Sequence, residues 1–154
     1  MHTSLRYAVP VALALWAAVA GAQADAHRIV QPDELKWSDV PSLPAGARIA
    51  VLEGPLNEAR PFTVRLKFPA NYRIPPHTHP AIERVTVLSG TFHLGHGDRV
   101  DPATAQALPA GAIAIMPTGM VHYAYTSGET VVQLHGNGPW GITYVRDADD
   151  PRKQ

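Results

Sequence analysis

The segment that decides the fold is Pro75–Glu83, which reads PPHTHPAIE, and it is complemented by His122 farther along the chain. His77 and His79 are two residues apart, so on a β-strand their side chains point to the same face. Glu83 could return to that face if the chain turns after His79, and His122 would add a third imidazole. Imidazole and carboxylate ligands suit a divalent first-row transition metal. The sequence therefore predicts one bound metal ion per chain, held by these four side chains.

This first segment resembles the first motif of the cupin superfamily. In that motif a Gly precedes His-any-His, a Glu follows after three or four residues, and a Gly follows after six more. His77, His79, Glu83 and Gly90 match it, whereas Asn71 stands at the opening glycine. Asn tolerates a left-handed backbone better than most other residues, so the departure is mild.

The second cupin motif is also present. Gly111, Pro117, Gly119 and His122 match it in order and spacing, and Thr126 replaces its final Asn. The resemblance spans roughly Phe62 to Val145. It implies a metal-binding cupin, with ligands at the positions of the three histidines and the glutamate.

Short apolar runs separated by many Pro and Gly residues predict an all-β fold. Phe62–Phe68 alternates apolar and polar residues, as a strand with one buried face does. The strands expected are Ile49–Leu52, Phe62–Phe68, Arg84–Leu88, Thr91–Leu94, Ala112–Met116, Tyr123–Thr126, Val131–His135 and Ile142–Val145. Eight short strands fit a double-stranded β-helix, the jelly-roll barrel of cupins.

The two ends of the chain differ from this central part. Residues 1–24 have basic side chains, an apolar run and a final Ala-Gln-Ala, which predicts a cleaved signal peptide and a periplasmic or secreted protein. An uncleaved anchor or a buried helix is the alternative. Residues 25–46 are expected to form an arm over the barrel or a partner subunit, or a disordered leader. Residues 47–146 form the expected cupin domain and 147–154 a charged, solvated tail.

Composition narrows the classes of partner. The chain has 13 Lys and Arg residues against 13 Asp and Glu residues, without a block of like charge. This balance argues against nucleic acid as a partner and against a membrane surface after signal cleavage. Cysteine is absent, which excludes thiolate ligands and cysteine nucleophiles. Structural zinc sites lean towards thiolates, so a closed zinc site is the weaker alternative to an open metal centre.

Strand alternation also predicts the surroundings of the metal. Gln133 and His135 share one face of their strand, and if that face lines the barrel they are candidates to contact the metal ligands or a substrate. A pair in the core or at the rim is the alternative. Apolar walls are expected from Val85, Val87, Ala124, Ile113 and Ile115. A cationic centre in an apolar bowl suits a small organic anion.

The resemblance implies a range of activities on one scaffold: dioxygenase, decarboxylase, isomerase or lyase. We expect an oxygenase or lyase with iron or manganese, while nickel, copper and zinc remain alternatives. A binding or sensing module without turnover is the second hypothesis. A homodimer is expected through the arm and an outer sheet face that carries Leu88, Tyr123 and Tyr125.

Overall fold

The computed structural model describes residues 27–154, so the predicted signal peptide lies outside the described residues. The strands, in chain order, are β1 (Ser38–Asp39), β2 (Arg48–Glu53), β3 (Pro61–Phe68), β4 (Arg73–Thr78), β5 (Glu83–Ser89), β6 (Thr91–His96), β7 (Gln106–Pro109), β8 (Ile113–Met116), β9 (His122–Thr126), β10 (Thr130–Asn137) and β11 (Thr143–Tyr144). Short 3-10 helices cover Pro32–Glu34, Asp147–Asp149 and Pro151–Lys153.

The strands form two antiparallel sheets that enclose one core. The first sheet has the order β1-β2-β3-β10-β5-β8, and the second has the order β11-β4-β9-β6-β7. Large apolar side chains from both sheets fill the space between them, among them Phe62, Phe68, Val87, Phe92 and Val132. This is an antiparallel double-sheet jelly roll, which confirms the predicted fold class.

Alternation of apolar residues explains which face of each strand is buried. On β3 the side chains of Phe62, Val64, Leu66 and Phe68 are buried, and the residues between them are half-buried. The strand lies between β2 and β10, so both of its edges are hydrogen bonded. All eight predicted strands are present, with ends shifted by a few residues.

The sequence interpretation missed β7 and the full length of β4. No strand is predicted between Leu94 and Ala112, but the chain makes turns at residues 102–104 and enters β7 at Gln106. Residues Arg73–Thr78 contain two prolines, which hide a strand because proline cannot donate to a neighbouring strand.

Two departures from the cupin motifs are accommodated locally. Asn71 has φ of 58°, the left-handed conformation that the motif glycine would supply. Thr126 is buried, and its hydroxyl donates to the Pro69 carbonyl at 2.8 Å and accepts from the Tyr72 amide at 3.2 Å. The threonine therefore ties β9 to the turn before β4.

Both flanking segments pack on the barrel. In the arm, β1 pairs with β2, and Leu43 is part of the core. The C-terminal segment is not fully solvated, contrary to the prediction. Asp150 is buried and its carboxylate binds the Arg152 guanidinium, which also donates to the Ile142 carbonyl at 3.1 Å. None of the helices within residues 27–154 has the length and hydrophobicity that a bilayer-spanning helix needs.

Tyr123 occupies a different environment from the one expected. It faces away from the three histidines as predicted, but it is fully buried and its hydroxyl donates to the Asp101 carbonyl at 2.7 Å. Its ring lies over Gly95, where an added Cβ would be 2.0 Å from the tyrosine Cζ. Since its own chain covers Tyr123, this residue cannot serve as the predicted dimer contact. Tyr125 is half-buried and stacks on His93 with ring centroids 4.4 Å apart.

Candidate metal centre

Two of the predicted ligands lie side by side on neighbouring strands. His77 of β4 is the register partner of His122 of β9, and their ring centroids are 4.2 Å apart. The register shifts between Ile74 and His77, so β4 contains a bulge at its two prolines. A bulge lets residues three apart point to the same side. Ile74 and His77 therefore both face the interior.

The other two predicted ligands arrive from the turn between β4 and β5. This turn crosses from the second sheet to the first, and Glu83 is the first residue of β5. Glu83 Oε2 lies 3.3 Å from Nε2 of His79 and 3.3 Å from Nε2 of His122. All four residues are buried, with 3 to 5% of their surface exposed. The structure thus brings together the four residues that the motifs indicated.

Backbone carbonyls orient the three imidazoles. Nδ1 of His77 lies 2.6 Å from the Pro75 carbonyl oxygen, and Nδ1 of His122 lies 3.0 Å from that of Met120. Nδ1 of His79 lies 2.6 Å from the Gly141 carbonyl oxygen. A carbonyl can only accept, so each Nδ1 carries the proton and each Nε2 keeps its lone pair. Such partners fix the tautomer that a metal-binding histidine requires.

Burial favours the neutral form of His77 and His79. It lowers the pKa of His77 well below 6.5, and the nearby His122 and His79 lower it further, against the opposing effect of the Pro75 carbonyl. Burial is also the largest influence on the pKa of His79, which is lowered although Glu83 and the Gly141 carbonyl raise it. The contact between His79 and Glu83 is therefore not an ion pair near neutral pH, despite its short distance.

The arrangement fits a metal cation. One ligand atom from each of the three histidines lies within 4.8 Å of the others, so they form a group that could hold an ion. Nε2 of His79 is buried and has no hydrogen-bond partner among residues 27–154. With its proton on Nδ1, this atom directs a lone pair towards a carboxylate oxygen. The lone pair and the carboxylate oxygen repel each other, and a cation between them would attract both.

The four side chains line one cavity with apolar walls. Its volume is about 30 Å³, and a volume of roughly 10–15 Å³ holds one water, so the cavity suits a very small ligand. The apolar lining consists of Leu43, Leu66, Phe68, Ile74, Val85, Phe92, Leu94, Met116, Ala124, Val132, Leu134, Trp140 and Ile142. Val85 and Ala124 were predicted correctly. Val87 is in the core but does not line the cavity, and Ile113 and Ile115 are 54% and 62% exposed on the outside.

The prediction for Gln133 and His135 is wrong in its placement. The alternate residues Val132 and Leu134 are the ones that face the cavity from β10. The Gln133 amide oxygen instead accepts from Arg65 Nε at 3.2 Å on the outer face of the sheet. His135 lies on the same outer face of β10 as Gln133, and its partners on the neighbouring strands are Thr63 and Arg84. Neither side chain lies beside the three histidines.

Sequence reasoning missed the role of the segment after β10. Trp140 stacks on His79 with ring centroids 5.0 Å apart and an angle of 13° between the rings. The next residue, Gly141, supplies the carbonyl that orients the same imidazole. The turn residues Asn137 to Pro139 signalled a change of direction, but no local pattern reveals a contact with a residue about 60 positions earlier.

Comparison with known proteins agrees with this architecture. Residues 25–141 match the family model described as a ChrR Cupin-like domain. A 64-residue stretch is 39% identical to a putative germin-like protein 9-2 from Oryza sativa subsp. japonica and covers 41% of this chain and 30% of the relative. The chain spans about a third of the length of the curated relatives that it matches.

Solved structures share the fold at low sequence identity. The polyketide cyclase RemF from Streptomyces resistomycificus superposes with a TM-score of 0.68 at 18% identity, over 82% of this chain and 91% of RemF. A putative acetylacetone dioxygenase from Methylibium petroleiphilum gives a TM-score of 0.62 at 17% identity, over 81% and 85% of the two chains. The family match covers most of the chain and the structure has the same architecture, so the chain belongs to the ChrR cupin-like domain family.

Proposed function

We propose that the protein binds one divalent transition-metal ion through His77, His79, Glu83 and His122. The observation that carries the proposal is that these buried groups converge and that Nδ1 of each of the three histidines lies against a backbone carbonyl. The donor set contains nitrogen and oxygen without sulfur, which favours iron or manganese, with nickel, copper and zinc as alternatives.

The ligand that we propose for this centre is a small organic anion. Within the described part of the chain, Glu83 is the one charged side chain that lines the cavity. A divalent ion with one carboxylate and neutral imidazoles leaves a net charge of about +1. An anion would be attracted by this charge, while the apolar walls would accept its hydrocarbon part. The small cavity volume supports a ligand of only a few heavy atoms.

We further propose turnover of this anion by oxygenase or lyase chemistry. A bound ion would supply Lewis-acid or redox chemistry at the centre. The chain itself contributes by holding the histidines as fixed tautomers and by surrounding the site with apolar side chains that limit access of water. Among the solved structures with this fold is a polyketide cyclase, which is consistent with enzymatic use of the scaffold but does not identify the reaction.

A binding or sensing module is the second candidate. One observation favours it: beyond the proposed ligands and the indole NH of Trp140, the cavity lining is apolar. The lining therefore offers no further titratable side chain as a general acid or base.

A ligand panel separates the two candidates. Metal-free protein and protein loaded with iron, manganese, nickel, copper or zinc would be mixed with small carboxylates and enolisable acids, and binding, oxygen uptake and product formation would be followed together. Metal-dependent conversion supports the enzyme, and metal-dependent binding with the acid recovered unchanged supports the module. Absence of any metal-dependent binding would refute both.

We also propose that the protein is exported. The support is the signal-like composition of residues 1–24. Mass spectrometry of the protein from its native cells should show a chain that begins at Asp25, and an intact Met1 would contradict the proposal.

A homodimer is proposed through the outer faces of the barrel. Ile113, Ile115 and Leu88 are 54%, 62% and 40% exposed there, and such apolar surface is characteristic of interfaces. Sedimentation at tens of micromolar, roughly the range in which stable interfaces persist, should give the mass of two chains. A monomer under these conditions would count against it.

A further inference from the structure

The segment after β10 holds a tryptophan against the proposed metal ligands. The Trp140 amide donates to the Leu56 carbonyl at 2.6 Å, which anchors the backbone. The following carbonyl, of Gly141, accepts the hydrogen bond from His79, and Ile142 lines the cavity. This short segment therefore shapes the cavity and orients one imidazole at the same time.

The indole is fixed on two sides. It stacks nearly parallel on His79, and its centroid also lies 5.8 Å from that of Phe62 at an angle of 44°. Two ring contacts, together with the anchored backbone, leave the side chain little freedom to rotate. Its orientation is therefore set by the fold rather than by a ligand.

The indole nitrogen has a donor that the protein does not use. Trp140 Nε1 is shielded from solvent and has no hydrogen-bond partner within residues 27–154. Buried tryptophan NH groups usually find an acceptor, because an unpaired buried donor costs folding free energy. Apart from the four proposed ligands, Trp140 is the cavity-lining residue that has a polar side-chain atom.

We propose that Trp140 Nε1–H donates a hydrogen bond to the anion bound in the cavity and thereby selects its chemical class. The inference rests on the proposed function, since it requires an anion at the metal centre. A carboxylate has two oxygens, so one can face the ion while the other accepts from the indole. A halide has a single atom and cannot use two separate positions. The site therefore favours small carboxylates over halides.

The test compares Trp140→Phe with the wild-type protein, both loaded with cobalt(II), whose visible absorption reports changes at the centre. The variant keeps an aromatic ring on His79 but removes the NH group. We expect acetate to bind roughly 10-fold or more weakly, the scale of a hydrogen bond to a charged acceptor, with chloride binding unchanged. Trp37→Phe is the matched control, because Trp37 packs beneath Lys67 at 4.9 Å and does not line the cavity.

A second measurement follows ligand binding in the wild-type protein itself and uses the variant only to assign a resonance. In zinc-loaded wild-type protein, the indole NH resonances are followed by NMR during titration with acetate and with chloride. One indole resonance should move downfield with acetate and stay in place with chloride, and it should be the one missing from Trp140→Phe.

The outcomes separate the inference from the proposed function. Equal acetate affinity in both proteins, or an indole resonance that does not respond, would overturn the role of Trp140 while leaving the metal centre intact. Failure of the wild-type protein to bind cobalt would instead refute the proposed function.

Discussion

Replacement of Glu83 by Gln should have opposite effects on the metal-free and metal-loaded proteins. Gln preserves the shape of the side chain and removes its charge. In the metal-free protein Glu83 is 5% exposed, and its carboxylate faces the lone pairs of two imidazoles at 3.3 Å. An amide is less costly to bury than an uncompensated charge, so we expect the free energy of unfolding to rise by about 1–2 kcal/mol.

With metal present the sign reverses. At a free metal concentration 1,000 times Kd, binding stabilises the wild-type fold by about 4.1 kcal/mol. Loss of the anionic ligand should weaken metal binding by at least about 100-fold. Changing a residue that only hydrogen bonds to a metal ligand lowers metal affinity by about 10 to 100-fold, and a ligand itself should matter at least as much. The same metal concentration then stabilises the variant by about 1.4 kcal/mol, a loss of about 2.7 kcal/mol.

Thermal unfolding with and without metal measures both effects. For a domain of this size the loss corresponds to a reduction of the metal-induced rise in Tm by about 10 °C. Glu129→Gln is the control, because Glu129 is exposed and does not line the cavity. Equal metal-induced shifts in wild type and Glu83→Gln would refute the reasoning, and so would a metal-free variant that is clearly less stable than wild type.

Three further predictions follow from the geometry. Gln133→Leu should leave metal content unchanged by elemental analysis, because Gln133 contacts Arg65 on the outer face; loss of metal would contradict its placement. The metal-free protein should lose stability as the pH falls below 6.5, because the unfolded chain protonates His77 and His79 there while burial lowers their pKa in the folded state. Melting curves recorded between pH 8 and pH 5.5 test this, and a Tm that does not change over that range would contradict the prediction. Gly95→Ala should destabilise the fold by about 3 kcal/mol because its Cβ would meet the Tyr123 ring, whereas Gly128→Ala, which meets nothing within 4 Å, should melt like wild type.

The sequence predicted the fold and the candidate ligands because their determinants are local. Alternation on β3 appears directly in the order of its residues, and the two motifs fix the separation of His77, His79 and Glu83. The left-handed Asn71 could likewise be predicted from a single position. Such features depend on neighbours within one strand or turn.

Features that depend on distant packing could not be predicted in this way. The sequence shows which residues of β10 share a face, but it does not show which face meets the cavity. That depends on the pairing of β10 with β3 and β5, so Gln133 and His135 were assigned to the wrong face. Ile113 and Ile115 are apolar yet face outward, because β8 turns its small residue Ala114 inward. The contact between Trp140 and His79 likewise arises only when the barrel closes.

The central claim is that four side chains hold one metal ion per chain. Elemental analysis after reconstitution and removal of excess metal tests it most directly, with the wild-type protein beside His122→Ala and the double variant His77→Ala, His122→Ala. We predict near one equivalent in the wild type, affinity reduced by an order of magnitude or more in the single variant, and no retained metal in the folded double variant. Full metal occupancy in the double variant would contradict the account.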